Sequence, residues 1–299
     1  MRVLITGAGG FVGGALAGGL SRNYGCEVVA LHRNSDSKDH SDGMCRVTHD
    51  LTKPLLIDEQ FDYIVHCAAE QNIQRMSSRD FIDVNLEMTR NIAEFGKKSG
   101  IKGIIYTSSI DLYGDIRECV VDDQTDRINP SLYGIAKFLC EQLLCEYEEF
   151  FPGIALRMCG VIGRGALTCW PARVLSKALR GERIEIVNAC SEFNNIIHTD
   201  DLTQFIHTLM IRGFAGFSTF PLASAQPISI RDVVSEIIAA VGLQTEIQDN
   251  GMTTNSFVIS NDCAISRFGY APDSVTSNLL KYVTDALACS PGCADGVNS

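Results

Sequence analysis

Several features that would identify a chain at once are missing. Among 12 cysteines there is no C-x-x-C pair and no paired Cys/His spacing, so the usual zinc patterns, and with them a metal site, are not expected. Basic residues are scarce: 25 Lys and Arg against 36 Asp and Glu leave a net charge of -11. That balance argues against nucleic acid or a membrane surface as a partner, while leaving room for a local basic pocket for phosphate. No apolar run approaches the roughly 18 residues of a membrane span. The N-terminus has no basic leader with a small-residue cleavage site, so a cytoplasmic protein is the expectation. There is no internal repeat and no low-complexity linker.

The chain has 299 residues, 45% of them hydrophobic and 20% charged, which is the composition of an ordinary soluble globule with a sizeable core. Several cysteines fall in apolar stretches such as HCAA and RMCGVIG, and they read as reduced, buried thiols acting as small hydrophobes. Cys289 and Cys293 lie in the tail CSPGCADGVNS, residues 289–299, which is expected to be disordered.

The first half alternates short apolar runs with longer helical patterns. Strands are expected at 2–6, 26–32, 44–50, 61–69, 101–109 and 152–160, with helices at 11–23, 78–99 and 131–150. Such alternation predicts an α/β fold, a parallel sheet with crossover helices on both faces. Beyond residue 160 the rhythm loosens into a helix at 171–180, a short strand IEIV and a last helix near 275–287. The expected division is a nucleotide-binding unit over 1–160 and a small lobe over 161–288, interleaved with it at the C-terminal edge of the sheet.

Between the first strand and the first helix stands TGAGGFVGG, which carries Gly7, Gly10 and Gly13 at G-x-x-G-x-x-G spacing. A strand–turn–helix of this kind lets backbone approach a pyrophosphate at the helix N-terminus. A small-residue turn made for helix–sheet packing is the other reading. Further along, Tyr133 and Lys137 form Y-x-x-x-K on a helix, so phenol and ammonium share one face. A cation near the phenol favours phenolate and proton transfer near neutral pH. A hydroxyl from YTSSIDLYG, at the end of the fifth strand, can bond the same substrate oxygen.

With these motifs the chain resembles the extended short-chain dehydrogenases/reductases, in their NAD(P)-dependent epimerase/dehydratase branch. TGAGGFVG, HCAA, DVN at 83–85, TSSIDLYG, NPSLYGIAK, RMCGVIGRG, NNIIHTDDL and ISNDCAISRFGYAP carry the resemblance over nearly the whole length. It implies a Rossmann-like, doubly wound parallel sheet of about seven strands with a small C-terminal substrate-binding lobe. Catalysis would fall to Ser109, Tyr133 and Lys137, with Tyr133 as acid/base and Lys137 holding the ribose hydroxyls. The cofactor would be held by Gly7, Gly10, Phe11, Val12 and Gly13, by Ala68, Ala69, Thr107, Gly160 and Val161, and at its adenine by Asp50 and Leu51. NAD users of the family place an acid just after the second strand, where this chain has His32 and Arg33. A cation in place of an acid suits a 2′-phosphate, so NADP is favoured over NAD.

On the substrate side the chain departs from the family pattern. Gly160 stands where an asparagine usually binds the substrate diphosphate, and Asn194 stands where an arginine does. Arg164 and Arg173 are the candidate replacements, and Asp111 is a candidate acid/base. The sugar-nucleotide dehydratases carry Asp-Glu after the catalytic hydroxyl; here Ile110 and Asp111 follow Ser109, so dehydration is disfavoured. The leading expectation is an epimerase or ketoreductase acting on a sugar nucleotide. Two others remain: an NADPH-dependent reductase of a small non-nucleotide carbonyl, and an NADPH-binding sensor or scaffold without turnover. A homodimer through the helices near 81–99 and 131–150 is implied by the resemblance alone.

Overall fold

In the computed structural model, residues 1–33 and 44–288 are described; the expected tail with Cys289 and Cys293 lies outside the described residues. The frame is one parallel sheet. Its strands are β1 (Arg2–Thr6), β2 (Glu27–His32), β3 (Cys45–Thr48), β4 (Tyr63–His66), β5 (Gly103–Ser109), β6 (Gly153–Met158) and β7 (Phe217–Leu222). Their spatial order is β7-β6-β5-β4-β1-β2-β3, and every neighbouring pair is parallel. The central strands are apolar on both faces, as strands covered by helices on either side must be; Val3, Leu4 and Ile5 of β1 and Ile64 and Val65 of β4 are all fully buried.

Helix α1 (Phe11–Tyr24) covers one face, and α2 (Ser78–Ser99) and α3 (Leu132–Cys145) cover the other. Their ends are set locally. Ser77 and Ser131 cap α2 and α3 by accepting from the N–H of Asp80 and Gly134, while Gly25 and Gly100 close α1 and α2 in the left-handed conformation. Helix α3 stops at Cys145 rather than running to 150.

The second half contributes to both parts of the molecule. Helix α5 (Thr199–Arg212) and β7 return to the sheet, where Leu202, Phe205, Phe220 and Leu222 join the core beneath α1. Helices α4 (Trp170–Leu179), α6 (Ile230–Val241) and α8 (Val275–Ala288) pack around a separate apolar cluster that includes Leu175, Val234 and Val283. The short helix α7 (Asp262–Phe268) lies between α6 and α8 in the chain.

The cysteines are not uniformly interior. Cys26, Cys140 and Cys159 are buried, but Cys45, Cys119, Cys145 and Cys190 are exposed, and all ten described cysteines are free thiols. Cys45 is exposed because β3 is the sheet's edge, and Cys145 because it closes α3. No described helix is long and apolar enough to cross a membrane.

Candidate active site

Strand β1 pairs with β2 on one side and β4 on the other. From β1 the chain winds outward through β2 to β3 and then crosses back to β4 on the other side of β1, so the winding direction reverses there and a crevice opens at the carboxyl ends of the strands. A cavity of about 910 Å³ lies there. Its floor is the glycine turn. Gly7 sits at φ +69°, and a Cβ on it would come within 2.7 Å of the Ala68 amide nitrogen, so the β1 turn and the β4 turn touch backbone to backbone.

Beneath this contact runs a buried hydrogen-bond chain. Thr6 Oγ1 accepts from the N–H groups of Cys67 (3.2 Å) and Ala68 (3.1 Å), so its own hydrogen goes to His66 Nδ1 at 2.7 Å. His66 then carries its proton on Nε2, facing Thr89 Oγ1 at 3.3 Å. Burial first, and then the Lys137 charge, push the His66 pKa down to about 3, so the ring is neutral.

The catalytic candidates are brought together by one close packing. Strand β5 ends at Ser109, and the following single turn (Ile110–Leu112) lies on the first turn of α3. A Cβ on Gly134 would fall 2.2 Å from the Asp111 carbonyl oxygen, so the glycine after Tyr133 is what lets the two segments meet. Ser109 and Tyr133 both line the cavity. Ser109 Oγ accepts from the Asp111 N–H at 3.2 Å, which leaves the hydroxyl hydrogen available to a ligand oxygen. Lys137 is buried below, its Nζ donating to the Thr107 carbonyl at 2.6 Å and lying 5.6 Å from the Tyr133 ring centre.

Burial governs both pKa values. It pushes Tyr133 up to about 12, aided by the Asp111 charge and opposed by a hydrogen bond from Gln71, and it lowers Lys137 to about 8. In the chain by itself, then, Tyr133 is a phenol, a proton donor in waiting.

The residues expected at the cofactor line this cavity: the glycine turn through Gly13, His32 and Arg33, Asp50 and Leu51, Ala68 and Ala69, Gly160 and Val161. Thr107 and Lys137 are buried behind its wall and act through each other. The cavity fits a dinucleotide on two independent observations. Helix α1 has no side-chain cap at Gly10, so its first-turn N–H groups are open to an anion. The His32 ring is 7% exposed and its Nε2 has no partner among the described residues, a buried donor or acceptor left for a ligand. Asp50 is held by the Thr52 N–H at 3.0 Å and hydroxyl at 2.9 Å, and that backbone bond keeps its pKa low.

The substrate candidates are placed differently. Asp111 lines a neighbouring hollow of about 420 Å³ with Asp115, Asn129 and Ser131. Arg164 and Arg173 are exposed and do not line the main cavity; Arg173 Nη1 donates to the Thr168 carbonyl at 2.8 Å at its rim. Asn194 is turned inward: its amide donates to the carbonyls of Ile259 (2.8 Å) and Ser224 (3.2 Å) and accepts from the Ile259 N–H (2.8 Å), leaving nothing for a substrate.

A model of the NAD dependent epimerase/dehydratase family matches residues 3–218. The chain belongs to this family. UDP-glucuronic acid decarboxylase 6 of Arabidopsis thaliana is 27% identical over 264 residues, covering 80% of this chain and 74% of the relative. The dTDP-4-dehydro-6-deoxy-D-allose reductase of a Streptomyces species is 27% identical over 273 residues, covering 82% and 83%. Among solved structures, MoeE5 in complex with UDP-glucuronic acid and NAD superposes with a TM-score of 0.81 at 22% identity, over 96% of this chain and 99% of that one. Membership makes the chain an NAD(P)-dependent enzyme whose sheet is the family's Rossmann-type sheet.

Family reasoning from sequence passed over the segment that follows Ala69. Glu70, Gln71 and Asn72 line the cavity, and Gln71 reaches the Tyr133 hydroxyl. Cys67, Cys159 and Cys169 line it too, with thiols that burial keeps protonated. Cys67 and Cys159 sit inside HCAA and RMCGVIGRG, whereas no local motif marks Glu70, Gln71, Asn72 or Cys169, which are placed by the turn at the end of β4 and the N-terminus of α4.

Proposed function

We propose that the chain is an epimerase or ketoreductase of a sugar nucleotide, with NADP(H) as its preferred cofactor. One observation carries the reading: Ser109, Tyr133 and the glycine turn of β1 line a single cavity, with Lys137 buried directly behind Tyr133. When bound, the nicotinamide supplies hydride exchange with a carbinol or ketone carbon. The chain's own residues handle the proton. Ser109 donates its free hydroxyl hydrogen to the substrate oxygen, and Tyr133, protonated at neutral pH, gives its proton to that oxygen as the carbonyl is reduced. In the oxidative direction Tyr133 takes the proton back, with Lys137 as the nearby positive charge. NADP is supported by Arg33 at the cavity wall and by the fact that, among the described residues, β2 ends in His32 and Arg33 rather than in a carboxylate.

The relatives named above act on UDP- and dTDP-linked sugars, which supports a nucleotide-linked substrate. A specific observation favours a second reading, reduction of a small carbonyl compound. Asn194 is committed to the lobe interior, and neither Arg164 nor Arg173 lines the cavity. A thermal-shift panel separates the two. With NADP+ saturating, UDP, GDP, CDP or dTDP at 100 times its Kd stabilises by about 2.7 kcal/mol. One responsive nucleotide supports the sugar-nucleotide reading, and none moves the search to small carbonyls. A homodimer through the outer faces of α2 and α3 is part of the proposal; a monomer by sedimentation at micromolar concentration removes it.

A further inference from the structure

Arg33 does not face the cofactor cavity alone. Its Nη1 lies 3.2 Å from Glu70 Oε2, and both residues line the cavity wall. The two ends of this pair differ in freedom: the Arg33 side chain is 67% exposed and Glu70 only 15%. Glu70 is fixed from every side. Its Oε1 accepts from the N–H groups of Gln71 (3.1 Å) and Asn72 (3.0 Å). Its backbone is clamped by Asn85, which accepts from the Glu70 N–H at 3.0 Å and donates to the Glu70 carbonyl at 3.3 Å. A carboxylate is therefore presented, rigidly, to the cation that stands where the family reads the ribose.

We propose that Glu70 is a second determinant of cofactor choice, holding Arg33 and weakening the protein's grip on a 2′-phosphate. This inference rests on the reading that Arg33 meets that phosphate. A phosphate entering the site must share Arg33 with a carboxylate that already holds its Nη1, and must do so beside that fixed negative charge. Both effects oppose NADP(H) and leave NAD(H), which has a 2′-hydroxyl there, nearly untouched. The carboxylate is also kept ionised, chiefly by the Asn72 N–H and then by Arg33, so the penalty is present at neutral pH. The acid that the end of β2 lacks is thus supplied by the turn after β4, acting on the arginine rather than on the sugar. Preference for NADP(H) is held below what Arg33 by itself would give.

The test is cofactor affinity, measured by quenching of reduced-cofactor fluorescence or by calorimetry, with no turnover required. Glu70→Gln keeps an oxygen for the Gln71 and Asn72 N–H groups while removing the charge. It is expected to tighten NADPH about five- to tenfold with NADH unchanged, and the gain is expected to shrink in an Arg33→Ala background, where only the direct repulsion between carboxylate and phosphate is left to relieve. Glu70→Ala, read the same way, serves if the glutamine variant misfolds. If Arg33→Ala weakens NADPH but neither Glu70 variant changes the NADPH-to-NADH affinity ratio, the inference about Glu70 is overturned and the Arg33 reading stands. If Arg33→Ala leaves that ratio unchanged, the underlying reading falls and the Glu70 inference with it.

Discussion

Arg157 and Glu141 form an ion pair at 3.0 Å with side chains only 1% and 0% exposed. Glu141 lies one turn beyond Lys137 on α3, and Arg157 lies on β6. The carboxylate also takes the Ser108 hydroxyl at 2.5 Å, and the guanidinium donates to the Tyr113 hydroxyl at 3.0 Å. The pair thus ties the helix carrying Tyr133 and Lys137 to the strand end carrying Ser109. Because both side chains are buried, each charge depends on the other.

Removing one partner therefore leaves an uncompensated buried charge. Glu141→Leu is expected to cost about 3–5 kcal/mol, lowering the melting temperature by roughly 5–8 °C. The double variant Glu141→Leu/Arg157→Met removes both charges and is expected to recover most of that loss. Calorimetry on the three proteins checks it; a single variant as stable as the parent sinks the account.

Tyr133→Phe removes the phenol while keeping the ring against Lys137. Turnover is expected to fall by about two to four orders of magnitude, with cofactor affinity changed by less than about twofold. Equal losses in turnover and cofactor affinity would instead make Tyr133 a binding group.

Arg33→Asp puts an acid where NAD users of the family carry one. A charge-assisted bond to phosphate is worth about 1.5–3 kcal/mol, so the ratio of NADPH to NADH affinity is expected to drop by about tenfold or more. An unchanged ratio removes Arg33 from the cofactor site.

How far the sequence reveals this molecule depends on whether a feature is local. Strands β1, β2, β4, β5 and β6 are legible because a strand covered on both faces is an apolar run, and their helices because serine caps and glycine stops flank an apolar stripe. Strand β7 carries no such signal: it is the sheet's edge, it contains Pro221, and its first three residues are only half-buried, so it has neither a run nor an alternation. The glycine turn and Y-x-x-x-K are local spacings and could be read directly. The Arg33–Glu70 pair joins residues 37 apart through the fold, and the inward turn of Asn194 depends on Ser224, just past β7, and on Ile259, which lie 30 and 65 residues away. Pairings of that kind are written in the topology rather than in any window of sequence.

The neutral His66 gives a pH dependence whose sign can be worked out. The ring is stacked on Tyr106 at 5.5 Å and faces Thr6, Thr89 and the Lys137 ammonium, with no carboxylate among these contacts. Its folded pKa of about 3 lies below the ordinary 6.5, so between those values the unfolded chain binds a proton that the folded chain refuses. Stability from this group is complete above about pH 6.5 and is lost as the pH falls towards 3, with a slope of at most about 1.4 kcal/mol per unit. Protonation would also break the bond from Thr6 to Nδ1, on which the Cys67 and Ala68 amides under the cofactor turn depend. His66→Gln has no proton to gain, so its urea midpoint is expected to fall less steeply than the parent's between pH 6.5 and 4. Parallel curves would mean that His66 is already charged in the folded chain, and the hydrogen-bond direction assigned to Thr6 would then be reversed.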